Sequence, residues 1–265
     1  MSVRLDFGSF AEHYDRLLVP AMFGPLAEAV AGAVEAAPGD RALDVACGTG
    51  ALSRLLAERV MPGGEVTGLD LAEGMLEVAR ARGGGSAYVQ GSADALPFEG
   101  GRFTVVTCQQ GLQFTDDPTA VLREFARVLA PGGRIGVACW SELEQDAGFL
   151  ALAEAADEHL GAEAGRMVRA PFRLADPAEL RGRFEAAGIA DVVIEIERVA
   201  ARVPVPPGRF ADAVMAAGPA GVAYAAAPPA VREAFAADVA RRLQGHASAD
   251  AVAFEMPSLI AVARV

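Results

Sequence analysis

The sequence predicts an α/β fold built on a parallel sheet, and three features carry that expectation. A short apolar strand ends in the turn Ala46-Cys47-Gly48-Thr49-Gly50, which opens a helix. A second apolar run, Glu65 to Asp70, ends on an acid. Strand-like runs then alternate with helical stretches as far as residue 140, the pattern of strand-helix-strand units in a parallel sheet.

Each element has a local reason. Gly48 and Gly50 lack a Cβ, so their turn can adopt positive φ and bring backbone close to a bound molecule. The helix that follows, Ala51 to Val60, places Leu52, Leu55, Leu56 and Val60 on the face that packs on a sheet. Asp70 closes the second strand, and a carboxylate there can accept both hydroxyl protons of a ribose diol. The strand Ser86 to Gln90 leads into Gly91-Ser92-Ala93-Asp94-Ala95-Leu96-Pro97-Phe98, where Asp94 can serve a ligand or form an Asx-type turn with its own backbone. The strand beginning at Phe103 runs into the polar loop Gln109-Gln110-Gly111-Leu112-Gln113-Phe114, at the strand end where open parallel sheets bind ligands. Arg127 to Arg134 reads as a helix exit before the strand Ile135 to Cys139.

Asp44-Val45-Ala46-Cys47-Gly48-Thr49-Gly50 resembles the first motif of the class I S-adenosylmethionine-dependent methyltransferases. The 91–98 segment is similar to their G-D-A-x-x-L-P-F stretch, and the 103–114 and 127–134 segments to the motifs that follow, all in order across residues 41–140. The small-molecule members, of the ubiquinone and menaquinone biosynthesis kind, are the ones it most resembles. The resemblance implies a Rossmann-like seven-stranded sheet with its last strand antiparallel, helices on both faces, an N-terminal helical cap and helical lid insertions. It implies S-adenosyl-L-methionine as cofactor, held by Tyr14, Asp44, Ala46, Cys47, Gly48, Gly50, Asp70, Leu71, Met75, Asp94, Ala95 and Gln109. Leu71 and Met75 would flank the adenine, and Asp94 would accept from its amino group. The chain departs from the family at Thr104, where an Asp is usual, and at Gln109 and Gln113, which replace Ser and His. A nicotinamide fingerprint fits less well, because its third glycine position holds Ser53.

Composition narrows the function classes. With 265 residues, 52% hydrophobic and 22% charged, the chain is long enough for one large α/β domain with a filled core. A net charge of −12 argues against a nucleic-acid partner, since phosphate backbones are bound by clustered cations. No lysine occurs, which removes Schiff-base chemistry, and the three histidines, His13, His159 and His246, have no zinc-site spacing, so no metal is expected. Cys47, Cys108 and Cys139 read as packed, reduced thiols. No apolar run is long enough to span a membrane and the amino terminus lacks a signal-peptide layout, so the reading is a cytoplasmic protein, with a homodimer open.

The expected organisation is a single methyltransferase domain over 1–265, with a cap at 1–37, a cofactor-binding core at 38–140, and helical lid insertions at 141–175 and 208–246. In the cap, Ala11-Glu12-His13-Tyr14-Asp15 is similar to a family stretch that folds over the cofactor; Tyr14 either reaches the methionine carboxylate or packs a helix. Asp146 to Met167 reads as one helix, Asp176-Pro177 as a helix start with Gly188 as its stop, and Val192 to Val203 as a strand. Arg209 to Gln244 reads as helical, broken at Gly218-Pro219 and Pro228-Pro229, and Met256 to Val265 as the closing strand. Lid segments carry specificity in many enzymes, which makes Gln113, Phe114, Trp140, Phe149, Met167, Phe172, Met215 and Tyr224 the expected lining of an acceptor pocket. His13 is the expected general base, because histidine ordinarily titrates near neutrality.

The expected activity is methyl transfer from S-adenosylmethionine to an oxygen or carbon of a small, partly apolar metabolite. The alternative is a non-transfer reaction on the same fold and cofactor, such as cyclisation, rearrangement or hydroxylation, because a fold does not fix a reaction.

Overall fold

The computed structural model describes residues 7–218 and 220–265; the first six residues and Pro219 of the expected Gly218-Pro219 break lie outside them. The helices are α1 (Phe7–His13), α2 (Gly24–Ala33), α3 (Ala51–Val60), α4 (Glu73–Arg82), α5 (Pro118–Val128), α6 (Ala147–His159), α7 (Ala162–Arg169), α8 (Pro177–Ala186), α9 (Pro207–Met215), α10 (Gly221–Ala226) and α11 (Pro229–Arg242). The strands are β1 (Arg41–Val45), β2 (Glu65–Asp70), β3 (Ala87–Gln90), β4 (Phe103–Gln109), β5 (Leu129–Trp140), β6 (Val193–Val203) and β7 (Val252–Arg264).

The strands form one sheet in the order β3-β2-β1-β4-β5-β7-β6. β1 pairs in parallel with β2 and β4, β2 with β3, and β4 with β5. β7 runs antiparallel to β5, from Arg134 opposite Arg264 to Trp140 opposite Ser258. This is the Rossmann-like sheet with an antiparallel last strand. The order reverses between β1 and β4, and at such a switch point the connections diverge and leave a crevice beyond the strand carboxyl ends.

The chain divides into two compact units. The sheet unit comprises Leu26–Ser141, Leu174–Glu197 and Ser258–Val265. Its core holds Leu43, Phe103, Val106, Phe125 and Phe184, all fully buried. α5 supplies Val121, Leu122, Phe125 and Val128 along one face, and Asp117 caps it by accepting from the Thr119 and Ala120 amides. Asp176 caps α8 in the same way, with Pro177 in the first turn.

The helical unit comprises Met1–Pro25, Glu142–Arg173 and Arg198–Pro257. Between α1 and α2 the chain widens into a π-helical stretch, Tyr14–Phe23, that contains Pro20, which has no N–H for a regular helical ladder. The single helix expected from Asp146 to Met167 is two, α6 and α7, because Gly161 sits at φ +91° between them. The closing strand starts at Val252 and not at Met256, since Val252, Phe254 and Met256 already alternate inward. The strand expected from Ile135 likewise starts at Leu129, absorbing the predicted turn.

Candidate active site

β1 ends at Val45, and the next residue, Ala46, has φ +56°, a conformation L-residues seldom adopt. The Cys47 amide donates to the Leu69 carbonyl at 3.0 Å, which ties the turn to β2. Gly48 and Gly50 have φ +56° and +79°, as the turn requires. A Cβ on Gly50 would stand 2.4 Å from the Tyr88 hydroxyl, so that glycine serves packing as well as conformation; a Cβ on Gly48 would meet no protein atom within 4 Å.

Asp70 links the turn to the end of β2. One carboxylate oxygen accepts from the Gly48 amide at 2.8 Å and the other from the Ala72 amide at 2.9 Å. A carboxylate has about four lone-pair sites, so each oxygen keeps one for a ligand hydroxyl. The sequence reading gave Asp70 a ligand only; the structure gives it two backbone donors that fix its orientation first.

Asp44 has a different role from the one expected. It is 1% exposed, and its carboxyl accepts from the Ser53 hydroxyl at 2.6 Å and the Thr107 hydroxyl at 3.1 Å. Burial pushes its pKa up to about 7, against the lowering effect of those two hydrogen bonds. Asp44 therefore braces the turn from beneath. Ser53, the residue that disfavoured a dinucleotide, is its partner.

The loop after β3 is clamped from α5. Glu124 accepts from the Leu96 amide, and the Arg127 guanidinium donates to the Leu96 and Phe98 carbonyls and to Glu124. The Arg127 hydrogen bond holds the Glu124 carboxyl below its ordinary range despite partial burial. Inside this loop, Asp94 accepts from the Ser92 hydroxyl at 3.0 Å while its amide donates back to that oxygen at 3.3 Å. Glu124 was not singled out in sequence, because it reads as an ordinary surface charge on an amphipathic helix, and Arg127 was noted only as the start of the 127–134 segment.

These pieces border a cleft of about 300 Å³ lined by Ala46, Leu69, Asp70, Leu71, Gly91, Ser92, Ala93, Asp94, Gly111, Phe114, Thr115 and Asp116. It lies beyond the carboxyl ends of the strands flanking the switch point. Of the expected cofactor residues it brings together Ala46, Asp70, Leu71 and Asp94; Leu71 is 71% exposed there. Met75 is half-buried on α4, Ala95 is exposed in the clamped loop, and Gln109 ends β4. The cleft carries three carboxylates, Asp70, Asp94 and Asp116, and its lining includes no cationic side chain. A pyrophosphate would be repelled in such a field, whereas a phosphate-free nucleoside bearing a positive charge is favoured.

The remaining expected residues fall in both units. In the sheet unit, Phe114 is exposed at the cleft, Trp140 is buried at the end of β5, and Gln113 is buried with its amide nitrogen donating to Gln110 Oε1 at 2.6 Å. In the helical unit, the rings of Phe149 and Phe172 meet edge to face at 5.6 Å, Met167 is partly exposed and Met215 is buried. Tyr224 there is a packing residue: its hydroxyl donates to Asp212 at 2.5 Å and its ring lies 5.2 Å from Phe235. Tyr14 stacks on Phe23 at 4.9 Å. His13 places Nε2 2.9 Å from the Ala213 carbonyl oxygen. A carbonyl only accepts, so Nε2 carries a proton and Nδ1 is the ring's basic atom.

None of the three cysteines is in a disulfide, and all three are buried. Among the described residues, Glu158, His159 and Asp238 lie close enough to share a metal ion. The Arg242 guanidinium already bridges Asp238, Glu158 and Glu154, so a cation occupies the centre of that acidic group.

Residues 43–137 match the family model described as "Methyltransferase domain". Among curated proteins, the chain is 50% identical over 98 residues to the demethylmenaquinone methyltransferase of Lactococcus lactis, covering 35% of this chain and 39% of that protein. It is 45% identical over 115 residues to the ubiquinone/menaquinone biosynthesis C-methyltransferase of Xanthomonas campestris, covering 41% and 46%. The chain thus spans less than half the length of either relative. Among solved structures, YcgJ of Bacillus subtilis aligns at a TM-score of 0.53 and 18% identity, covering 90% of this chain and 97% of that one. The [4+2]-cyclase SpnF aligns at 0.54 and 23%, covering 91% and 80%. At such identities the likeness is one of fold.

Proposed function

We propose that this protein is an S-adenosylmethionine-dependent methyltransferase that acts on an oxygen or carbon of a small, partly apolar metabolite. The observation that carries the reading is the acid-lined, cation-free cleft whose Asp70 is tethered to the glycine turn. The methyltransferase sequence match over residues 43–137 lies on the same strands and loops.

In this reading the Gly48 to Gly50 turn, with Ala46 and Cys47, cradles the cofactor, and Asp70 takes the ribose hydroxyls on its two remaining lone-pair directions. Leu71 and Met75 flank the adenine, Asp94 and Ala95 face its edge, and Gln109 serves the amino-acid end. When bound, the cofactor supplies a methyl group already activated on a positively charged sulfur. The protein's own work is to hold the acceptor in line, exclude water and accept one proton. Orientation of that kind is worth on the order of 7 to 11 kcal/mol in intramolecular models. His13 Nδ1 is the proposed base, with Nε2 fixed by Ala213. Phe114 and Trp140 of the sheet unit are proposed as apolar contacts of the acceptor. The enzyme is proposed to work in the cytoplasm; no helix among the described residues is long and apolar enough to cross a membrane.

The test is incubation of the purified protein with methyl-labelled cofactor and a metabolite extract. Label transferred to a small molecule with stoichiometric adenosylhomocysteine supports the reading. Binding without adenosylhomocysteine release overturns methyl transfer in favour of non-transfer chemistry.

A further inference from the structure

Gln110 and Gln113 form a linked amide pair in the turn that follows β4. Gln113 Nε2 donates to Gln110 Oε1 at 2.6 Å. Gln113 is 1% exposed. The outer atoms of the pair, Gln113 Oε1 and Gln110 Nε2, are sealed from solvent and have no hydrogen-bond partner among the described residues. Reversing both amides exchanges the identities but leaves the same remainder: one carbonyl oxygen and one amide NH2 group. Gln110 is also held at φ +55°. Gly111 and Phe114, in the same turn, line the cleft.

Buried polar atoms are costly when unpaired and are normally satisfied. We propose that this pair seats a hydroxyl group of the methyl acceptor, an inference that rests on the methyltransferase reading above. A hydroxyl is matched to the remainder because it both donates and accepts: its O–H donates to the free amide oxygen while its oxygen accepts from the free amide nitrogen. An ammonium offers only donors and a carboxylate only acceptors, so each leaves one amide group unpaired. Neither glutamine takes a proton at neutral pH, which makes both positioning residues that select a neutral alcohol or phenol.

Phenol and toluene, which differ by a hydroxyl in place of a methyl, are the matched probes. Their binding to the full chain saturated with adenosylhomocysteine is measured by ligand-observed NMR titration. The wild type is expected to prefer phenol by about tenfold, two modest neutral hydrogen bonds' worth. Gln113→Leu and Gln110→Leu are expected to bring that preference below about twofold while adenosylhomocysteine binds as before. If a leucine variant fails to fold, the wild-type side-chain amide signals of Gln110 and Gln113 decide: they shift with phenol and stay put with toluene. Equal binding of the two probes, or a phenol preference that survives both substitutions, overturns the proposal. Loss of adenosylhomocysteine binding by the wild type itself would instead overturn the underlying methyltransferase reading.

Discussion

The Ser53 hydroxyl donates a 2.6 Å hydrogen bond to the fully buried Asp44 carboxyl, beneath the turn that begins at Ala46. The consequence is a pH dependence of stability. Burial raises the folded-state pKa of Asp44 to about 7, so the folded protein holds that proton more tightly than the unfolded chain. The sign follows: stability is greatest below the unfolded value near 4, falls as pH rises toward 7, and is flat above it. Asp146, a buried cap of α6 also raised to about 7, acts in the same direction. Asp44→Asn removes only its own share. Relative to that variant the wild type should lose stability between pH 5 and pH 8, by at most about 1.4 kcal/mol per pH unit. Urea midpoints at the two pH values check this, and a pH-independent difference would refute it.

Ser53→Ala should cost about 1–2 kcal/mol at pH 8, where the carboxyl is charged and needs its donor, and less at pH 5. Chemical denaturation at both values is the measurement.

Gly50→Ala should destabilise by about 1–2 kcal/mol from the left-handed φ alone, with the Tyr88 contact added. In a Tyr88→Phe background the penalty should shrink without vanishing, since the backbone strain remains. A double-mutant cycle of melting temperatures separates the two parts.

Arg242→Ala leaves the buried Asp238 without its main partner and should cost about 2 kcal/mol, less than a fully enclosed pair because Glu154 and Glu158 are exposed. Millimolar zinc should leave the wild-type melting temperature unchanged, because the guanidinium already holds the place between the acids.

The sheet was legible in sequence because its strands end on chemistry: a glycine turn after β1, an acid after β2, a polar loop after β4. The helical segments were less so. Asp146 to Met167 carries one apolar stripe, and nothing in that periodicity marks Gly161 as a break. Within the site, Asp70 stands out in sequence because an acid at a strand end is informative, and Asp94 because its segment resembles a family motif, whereas Asp44 was given a ligand although it faces Ser53. The Gln110 to Gln113 pair was half seen. Gln109 and Gln113 stood out against the family pattern, but the partnership with Gln110 depends on a positive φ that no spacing rule reports.

Titration calorimetry of S-adenosylmethionine against the wild type and Asp70→Ala tests the central claim most directly. The wild type should bind one equivalent, and Asp70→Ala, lacking the carboxylate that orders Gly48 and receives the ribose, should bind at least about tenfold more weakly. No binding by the wild type, or undiminished affinity in Asp70→Ala, would contradict the account.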